Sequence, residues 1–207
     1  MIEVVVILAA TAVLAALLLP VLAQSTDERR AQEIAKRLQC ESNLKQIALG
    51  IQQYIQDYDE KYPVVASSAP DPFGWAGAVQ PYIRDTELLQ CPGERNVGNA
   101  NPWRTGYTDY WYNRHLAGRN GAQVVWVTSI LLLGDGDGGC VASHARYALK
   151  SLPHAWLKTS GSPARRHSHG ANYAFADGHV KWLMPERVTT KRPGASGSIF
   201  VGTFAVN

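Results

Sequence analysis

The chain has 207 residues, 46% of them hydrophobic, and 20 Lys and Arg stand against 17 Asp and Glu. A formal net charge of +3 is too mild to draw the chain to a phosphate backbone, which argues against a nucleic-acid partner. The length suits one domain plus a stalk. Three cysteines, Cys40, Cys91 and Cys140, permit one intrachain disulfide with a thiol left over, or three buried thiols.

From Val4 to Thr26 no residue carries a charge, and Val, Leu, Ile and Ala dominate. About 20 apolar residues at about 1.5 Å each cover the hydrocarbon core of a bilayer. A secretory signal begins with positive charge and ends in a small-residue cleavage site. Here the first charge is Glu3, and no Lys or Arg precedes the run. A simple anchor gains nothing from a carboxylate at its end, because a charge near lipid is costly. Pro20 lacks an N–H and crowds the preceding turn, which implies a mild kink or local melting around Leu14 to Leu22.

Asp27-Glu28-Arg29-Arg30 marks the switch to a charged sequence. Beyond it Ile34, Leu38, Leu44, Ile47, Ala48, Ile51, Tyr54, Ile55 and Tyr58 recur mostly at three- and four-residue steps, the pattern of a helix with one apolar stripe. Pro63 blocks its continuation. One helix is therefore expected from residue 1 to about residue 58, about 85 Å long. Its stripe requires cover from the rest of the chain.

That remainder reads as α+β. Phe73 to Arg84 reads as a short helix, and residues 92–106, rich in Gly, Asn and Pro, as an irregular loop. Thr108 to His115, Val124 to Val127 and Ser129 to Leu133 read as strands. Asp177-Gly178, inside the alternating stretch Ala171 to Leu183, marks a hairpin turn. Ile199 to Val206 reads as a last strand or an extended tail. A small antiparallel sheet with extended loops, packed on the long helix, is the expected architecture.

Two chemistries compete around the hairpin. His167, His169 and His179, with Asp177 and the acidic pair Asp135 and Asp137, form a mixed set suited to a divalent transition metal. Asp135-Gly136-Asp137-Gly138 also resembles a fragment of a calcium loop, but the twelve-residue pattern and its terminal Glu are missing. Alternatively, Asp177-Gly178 only makes the turn, and His167 bonds across the hairpin base. The pairs Asp57/Asp59 and Asp135/Asp137 read as solvated, turn-like stretches rather than as buried or tightly paired catalytic carboxylates. Trp103, Tyr107, Tyr110, Trp111 and Tyr112 read either as core or as a stacking surface. No nucleophile elbow, phosphate loop or zinc-protease motif occurs, so no enzyme is expected.

The N-terminal run resembles the first helix of type IV pilins and pseudopilins. Their mature chains begin near Phe-Thr-Leu-Ile-Glu and carry a proline seventeen residues after the glutamate. Ile2-Glu3 and Pro20 keep that spacing. The family glutamate is the fifth mature residue and here it is the third, so either two mature residues precede Met1 or processing differs. The segment from His167 to Asp177-Gly178 is similar to the His-x9-Asp-Gly motif of a bacterial prepilin-type group (DUF1559-like). Ser42-Asn43-Leu44-Lys45-Gln46, Tyr58-Asp59-Glu60-Lys61-Tyr62-Pro63, Cys91-Pro92 and Tyr112-Asn113 are further words of that group.

The resemblance implies a pilin-like ladle. Residues 1–26 would be a membrane anchor before assembly and filament core afterwards. Residues 27–207 would be the head, with the helix's second half at 27–58 and the motif at 167–178. Glu3 would set register by pairing with a neighbouring subunit's α-amino group, and Pro20 would let the helix stretch. Because Cys40 and Cys91 lie in family words, that pair is the implied disulfide. The implied function is a structural subunit of an extracellular type IV pilus-like filament. The alternatives are a minor pilin or pseudopilin of a secretion machine, or a membrane-tethered binding domain. The implied partners are other copies in a helical homo-oligomer, a prepilin peptidase and an inner-membrane assembly platform. The implied location is the inner membrane, then the cell surface.

Overall fold

The computed structural model describes residues 2–65, 74–94, 108–137, 146–192 and 202–206. Within residues 2–26 it describes the side chains of only Glu3, Val4, Ile7, Ala9, Thr11 and Ala12. The molecule divides into two compact units, Met1–Ala35 and Lys36–Asn207. Residues 27–35, the last of the first unit, are all exposed. Helix α1 spans Ile2–Asp57 without a break. Among the described residues no helix is long and apolar enough to cross a membrane. Most side chains of the apolar run, Pro20 included, lie outside the described residues.

In the second unit α1 buries Cys40, Asn43, Leu44, Ile47, Ala48, Gly50 and Ile51, the three- and four-residue steps of one helical face. Ile34, Leu38 and Tyr58, expected on the covered stripe, are about half exposed. The helix stops because Asp59 and Glu60 both turn left-handed, at φ of 50° and 58°. The Glu60 N–H then donates to the Ile55 carbonyl at 3.0 Å, which satisfies a terminal acceptor. Helix α2 (Gly74–Ile83) packs on this part of α1. Gly50 permits the approach, since a Cβ there would lie 2.6 Å from Ile83 Cγ2 and 3.0 Å from Val79 Cγ1.

The sheet contains β1 (Tyr110–Asn113), β2 (Leu131–Asp135), β3 (Ala148–Leu149), β4 (Ala171–Phe175) and β5 (Val180–Leu183). The spatial order is β3-β1-β2-β4-β5. β1 with β2, β2 with β4, and β4 with β5 pair antiparallel. β3 pairs parallel to β1, so the sheet is mixed rather than antiparallel. The physical reason is connectivity. β3 follows β2 in the chain but lies beyond β1, so no tight hairpin dictates its direction. Two short strands, β6 (Val188–Thr189) and β7 (Gly202–Thr203), form a separate parallel pair, and the five-residue α3 (His154–Lys158) follows β3.

Val124 to Val127 is not a strand. Val124 closes a single 3-10 turn over Gly121–Gln123, and Trp126 is left-handed at φ 65°, which breaks an extended run.

Strand alternation sorts β4 between two cores. Ala174 and Ala176 join the core that holds the buried face of α1, and Tyr173 and Phe175 join Trp111, Leu131, Leu183 and Phe204. Small side chains on one face let the helix lie close, and aromatics fill the other. Tyr110, Trp111 and Tyr112 are fully buried, which makes them core. Trp103 and Tyr107 lie outside the described residues.

Candidate functional site

Four distant segments converge on one buried point. Cys40 comes from α1, Cys91 follows a 3-10 turn at Glu87–Leu89, Asp135 ends β2, and His167 precedes β4. Each side chain offers a ligand-type atom, and these atoms lie within 4.8 Å of one another. Cys40 and Cys91 are joined as a disulfide, with their Cα atoms 5.3 Å apart. His167 Nε2 lies 3.4 Å from Cys91 Sγ and 3.5 Å from Asp135 Oδ2.

The chain around each residue fixes it. The backbone N–H of Cys91 donates to Asp109 Oδ2 at 2.8 Å, and that of Asn172 donates to Asp135 Oδ2 at 2.8 Å. Asn172 Nδ2 reaches the Arg37 carbonyl at 2.9 Å, tying β4 to α1. His167 is gripped through its backbone. It exchanges hydrogen bonds with Gly170, and its carbonyl accepts the Trp182 indole N–H at 2.7 Å. Gly93 leaves room for the imidazole, since a Cβ there would lie 2.6 Å from His167 Cε1.

Beside His167, Arg166 pairs with Glu94 and donates to the Gly136 carbonyl at 2.6 Å. Burial pulls its guanidinium down to about 10, so it stays cationic at neutral pH. Two polar atoms of the cluster, His167 Nδ1 and Asp135 Oδ1, are buried with no hydrogen-bond partner. Such groups are uncommon, because leaving them unpaired costs free energy.

The six candidate ligands do not form one set. The structure brings His167 and Asp135 together, with two cysteines in place of the other four. His169 is exposed and left-handed at φ 69°, and Asp137 is exposed. Asp177 lies beyond the far end of β4, where its Oδ1 contacts His179 Nδ1 at 2.5 Å and accepts the His179 N–H at 3.1 Å. β4 therefore separates the two ends of the His-x9-Asp-Gly segment. Asp135 is also no solvated turn residue, being 1% exposed.

The Asp177-Gly178 end is a turn held down by the helix. The Gly178 N–H closes onto the Phe175 carbonyl at 2.8 Å, with Gly178 at φ 86°. Lys45 Nζ donates to the Gly178 carbonyl at 2.6 Å, and Gln52 Nε2 to the Ala176 carbonyl at 2.7 Å. Both donors sit on α1. Glu3 is exposed.

Sequence reasoning missed Asp109, Arg166, Glu94 and Gly93 as parts of this site. One signal was available for Asp135: it directly follows the apolar run Ile130 to Leu133 and Gly134, so the strand carries it inside.

Residues 29–110 match the family described as "Protein of unknown function (DUF1559)". The matched stretch includes Cys40 and Cys91 and ends before Asp135 and the His167 segment. No curated protein and no solved structure is significantly similar to the chain.

Proposed function

We propose that the chain is a pilin-like structural subunit that polymerises through its N-terminal helix into an extracellular filament. One observation carries this reading. A 56-residue helix begins with an uncharged apolar run behind Glu3 and ends with a face buried in the second unit's core. An apolar stretch of that length is at home in a bilayer or among copies of itself. The match to the DUF1559 family over residues 29–110 supports a pilin-like surface protein at a coarser level.

In this reading the subunit's interfaces are head-to-tail contacts that repeat without closing. Glu3 is the registry group, because a carboxylate among packed apolar helices requires a cationic partner. The subunit is not an enzyme. A prepilin peptidase and an inner-membrane platform act on it, and it moves from the inner membrane to the cell surface.

Electron microscopy with mass spectrometry of the sheared extracellular fraction tests the proposal. Thin filaments built mainly from this chain are expected. Glu3→Ala is expected to leave membrane insertion intact and to cut filament yield at least tenfold. Wild-type filament yield from that variant would remove the registry role. A chain retained in the membrane, with no filament containing it, would overturn the subunit reading.

A further inference from the structure

The disulfide, His167 and Asp135 form a more specific arrangement than a covalent staple needs. A bridge between Cys40 and Cys91 requires only apolar surroundings, yet this one is enclosed with an imidazole and a carboxylate that are both 0% exposed. The two are not in a close hydrogen bond, since 3.5 Å between nitrogen and oxygen exceeds the about 2.7–3.2 Å of such bonds. Asp135 Oδ1 has no partner, and His167 Nε2, the ring nitrogen that faces the cluster, has only loose contacts to Cys91 Sγ at 3.4 Å and Asp135 Oδ2 at 3.5 Å. Burying an imidazole and a carboxylate in loose contact is costly unless something further binds them.

The spacing fits a shared central atom. With zinc bonds of about 2.3 Å to sulfur and about 2.0 Å to nitrogen or oxygen, tetrahedral geometry sets ligands about 3.3–3.6 Å apart. His167 Nε2 stands at 3.4 Å from Cys91 Sγ and 3.5 Å from Asp135 Oδ2. Two edges of the tetrahedron are therefore in place while the sulfurs are bonded. We propose that the Cys40–Cys91 disulfide and a zinc-class metal centre are alternative states of this one pocket. In the reduced state Cys40 Sγ, Cys91 Sγ, His167 Nε2 and an Asp135 carboxylate oxygen hold a single divalent ion.

The chemistry balances with a dithiol reductant. Two electrons pass from the dithiol to the bridge, giving Cys40 and Cys91 thiols and an oxidised, cyclic disulfide of the reductant. Metal binding then releases both thiol protons, and the sulfurs part to the about 3.7 Å that two thiolates keep on one zinc. Soft thiolates select zinc or cobalt(II) over calcium, which prefers oxygen donors. The outer contacts persist in either state, because Asn172, Asp109, Trp182 and Gly170 hold the ligands through backbone groups. This inference does not depend on the subunit reading, and filament yield does not bear on it.

The full-length chain in detergent, carrying Cys140→Ser so that thiolate signals report only this pocket, is reduced with dithiol and titrated with cobalt(II). One equivalent is expected to bind, with a thiolate-to-cobalt charge-transfer band and the intense visible bands of a tetrahedral site. The oxidised chain should bind at least a hundredfold more weakly, and His167→Ala should lose the tetrahedral spectrum. X-ray absorption on the zinc-loaded chain needs no ligand variant. It should find two sulfurs at about 2.3 Å and two lighter donors at about 2.0 Å. The proposal is overturned by a folded, reduced chain that takes up no metal, or by a shell without sulfur. Equal binding to the oxidised chain, or loss of near-UV circular dichroism on reduction even with metal present, would overturn it too.

Discussion

At Cys40 and Cys91 a helix is tied to a loop 51 residues further along the chain. Closing a loop of that length in the unfolded chain contributes about 4 kcal/mol to stability. Cys91→Ser is accordingly expected to lower the unfolding free energy by about that much, read from urea titrations of the oxidised chain in detergent. Wild-type protein treated with reductant in the absence of metal should show a similar fall. The residue scale is also where the sequence said least about the site. Positions 40, 91, 135 and 167 belong to four segments, and no local pattern joins them. Asp135-Gly136-Asp137 looks like a turn because Asp and Gly favour turns. The neighbouring Leu131, Leu132 and Leu133 override that preference by drawing the strand inside.

Among the elements, α1 was the most legible, because a stripe at helical spacing reports both a helix and the side that is buried. Leu44 is fully buried, whereas Leu49, five residues on, is 48% exposed. Leu44→Ala is expected to cost about 2–5 kcal/mol, as core truncations do. Leu49→Ala should change stability by less than about 0.5 kcal/mol. Urea midpoints of the two variants compare them directly. The β4–β5 hairpin was legible for the same reason, through alternation and its Asp-Gly turn. β3, β6 and β7 were not, since each has two residues and its pairing is set by distant partners. Two residues are too few for a period. Val124 to Val127 has strand composition, but the left-handed Trp126 breaks the extended run, so composition misled there.

On the scale of the whole molecule, the packed unit holds four buried or largely buried tyrosines that resist ionisation. Burial and the nearby Asp177 carboxylate push Tyr62 up to about 12, and burial raises Tyr110, Tyr112 and Tyr173 as well. Above their ordinary value of about 10 the unfolded chain releases phenolic protons that the folded chain retains. The folded state then binds more protons, so stability falls as pH rises from about 10 to 12. Arg166, lowered to about 10, acts in the opposite sense but is one group against four. Urea midpoints are expected to hold steady up to about pH 9.5 and to drop above pH 10. Tyrosinate absorbance from these residues should rise together with unfolding. A stable, fully ionised fold at pH 11 would contradict the enclosure of these rings.

Lys45 and Gln52 find their acceptors 133 and 124 residues later, at Gly178 and Ala176. A ribosome delivers the chain from its N-terminal end, so the donors on α1 emerge first. The apolar face of α1 is therefore complete long before the hairpin that covers it exists, and pairings of such sequence separation form slowly. Throughout that interval α2 is available to shield part of the face, but the part that Ala174 and Ala176 cover stays open, a target for chaperones and proteases. Every premature stop before Leu183 would leave that target permanently open.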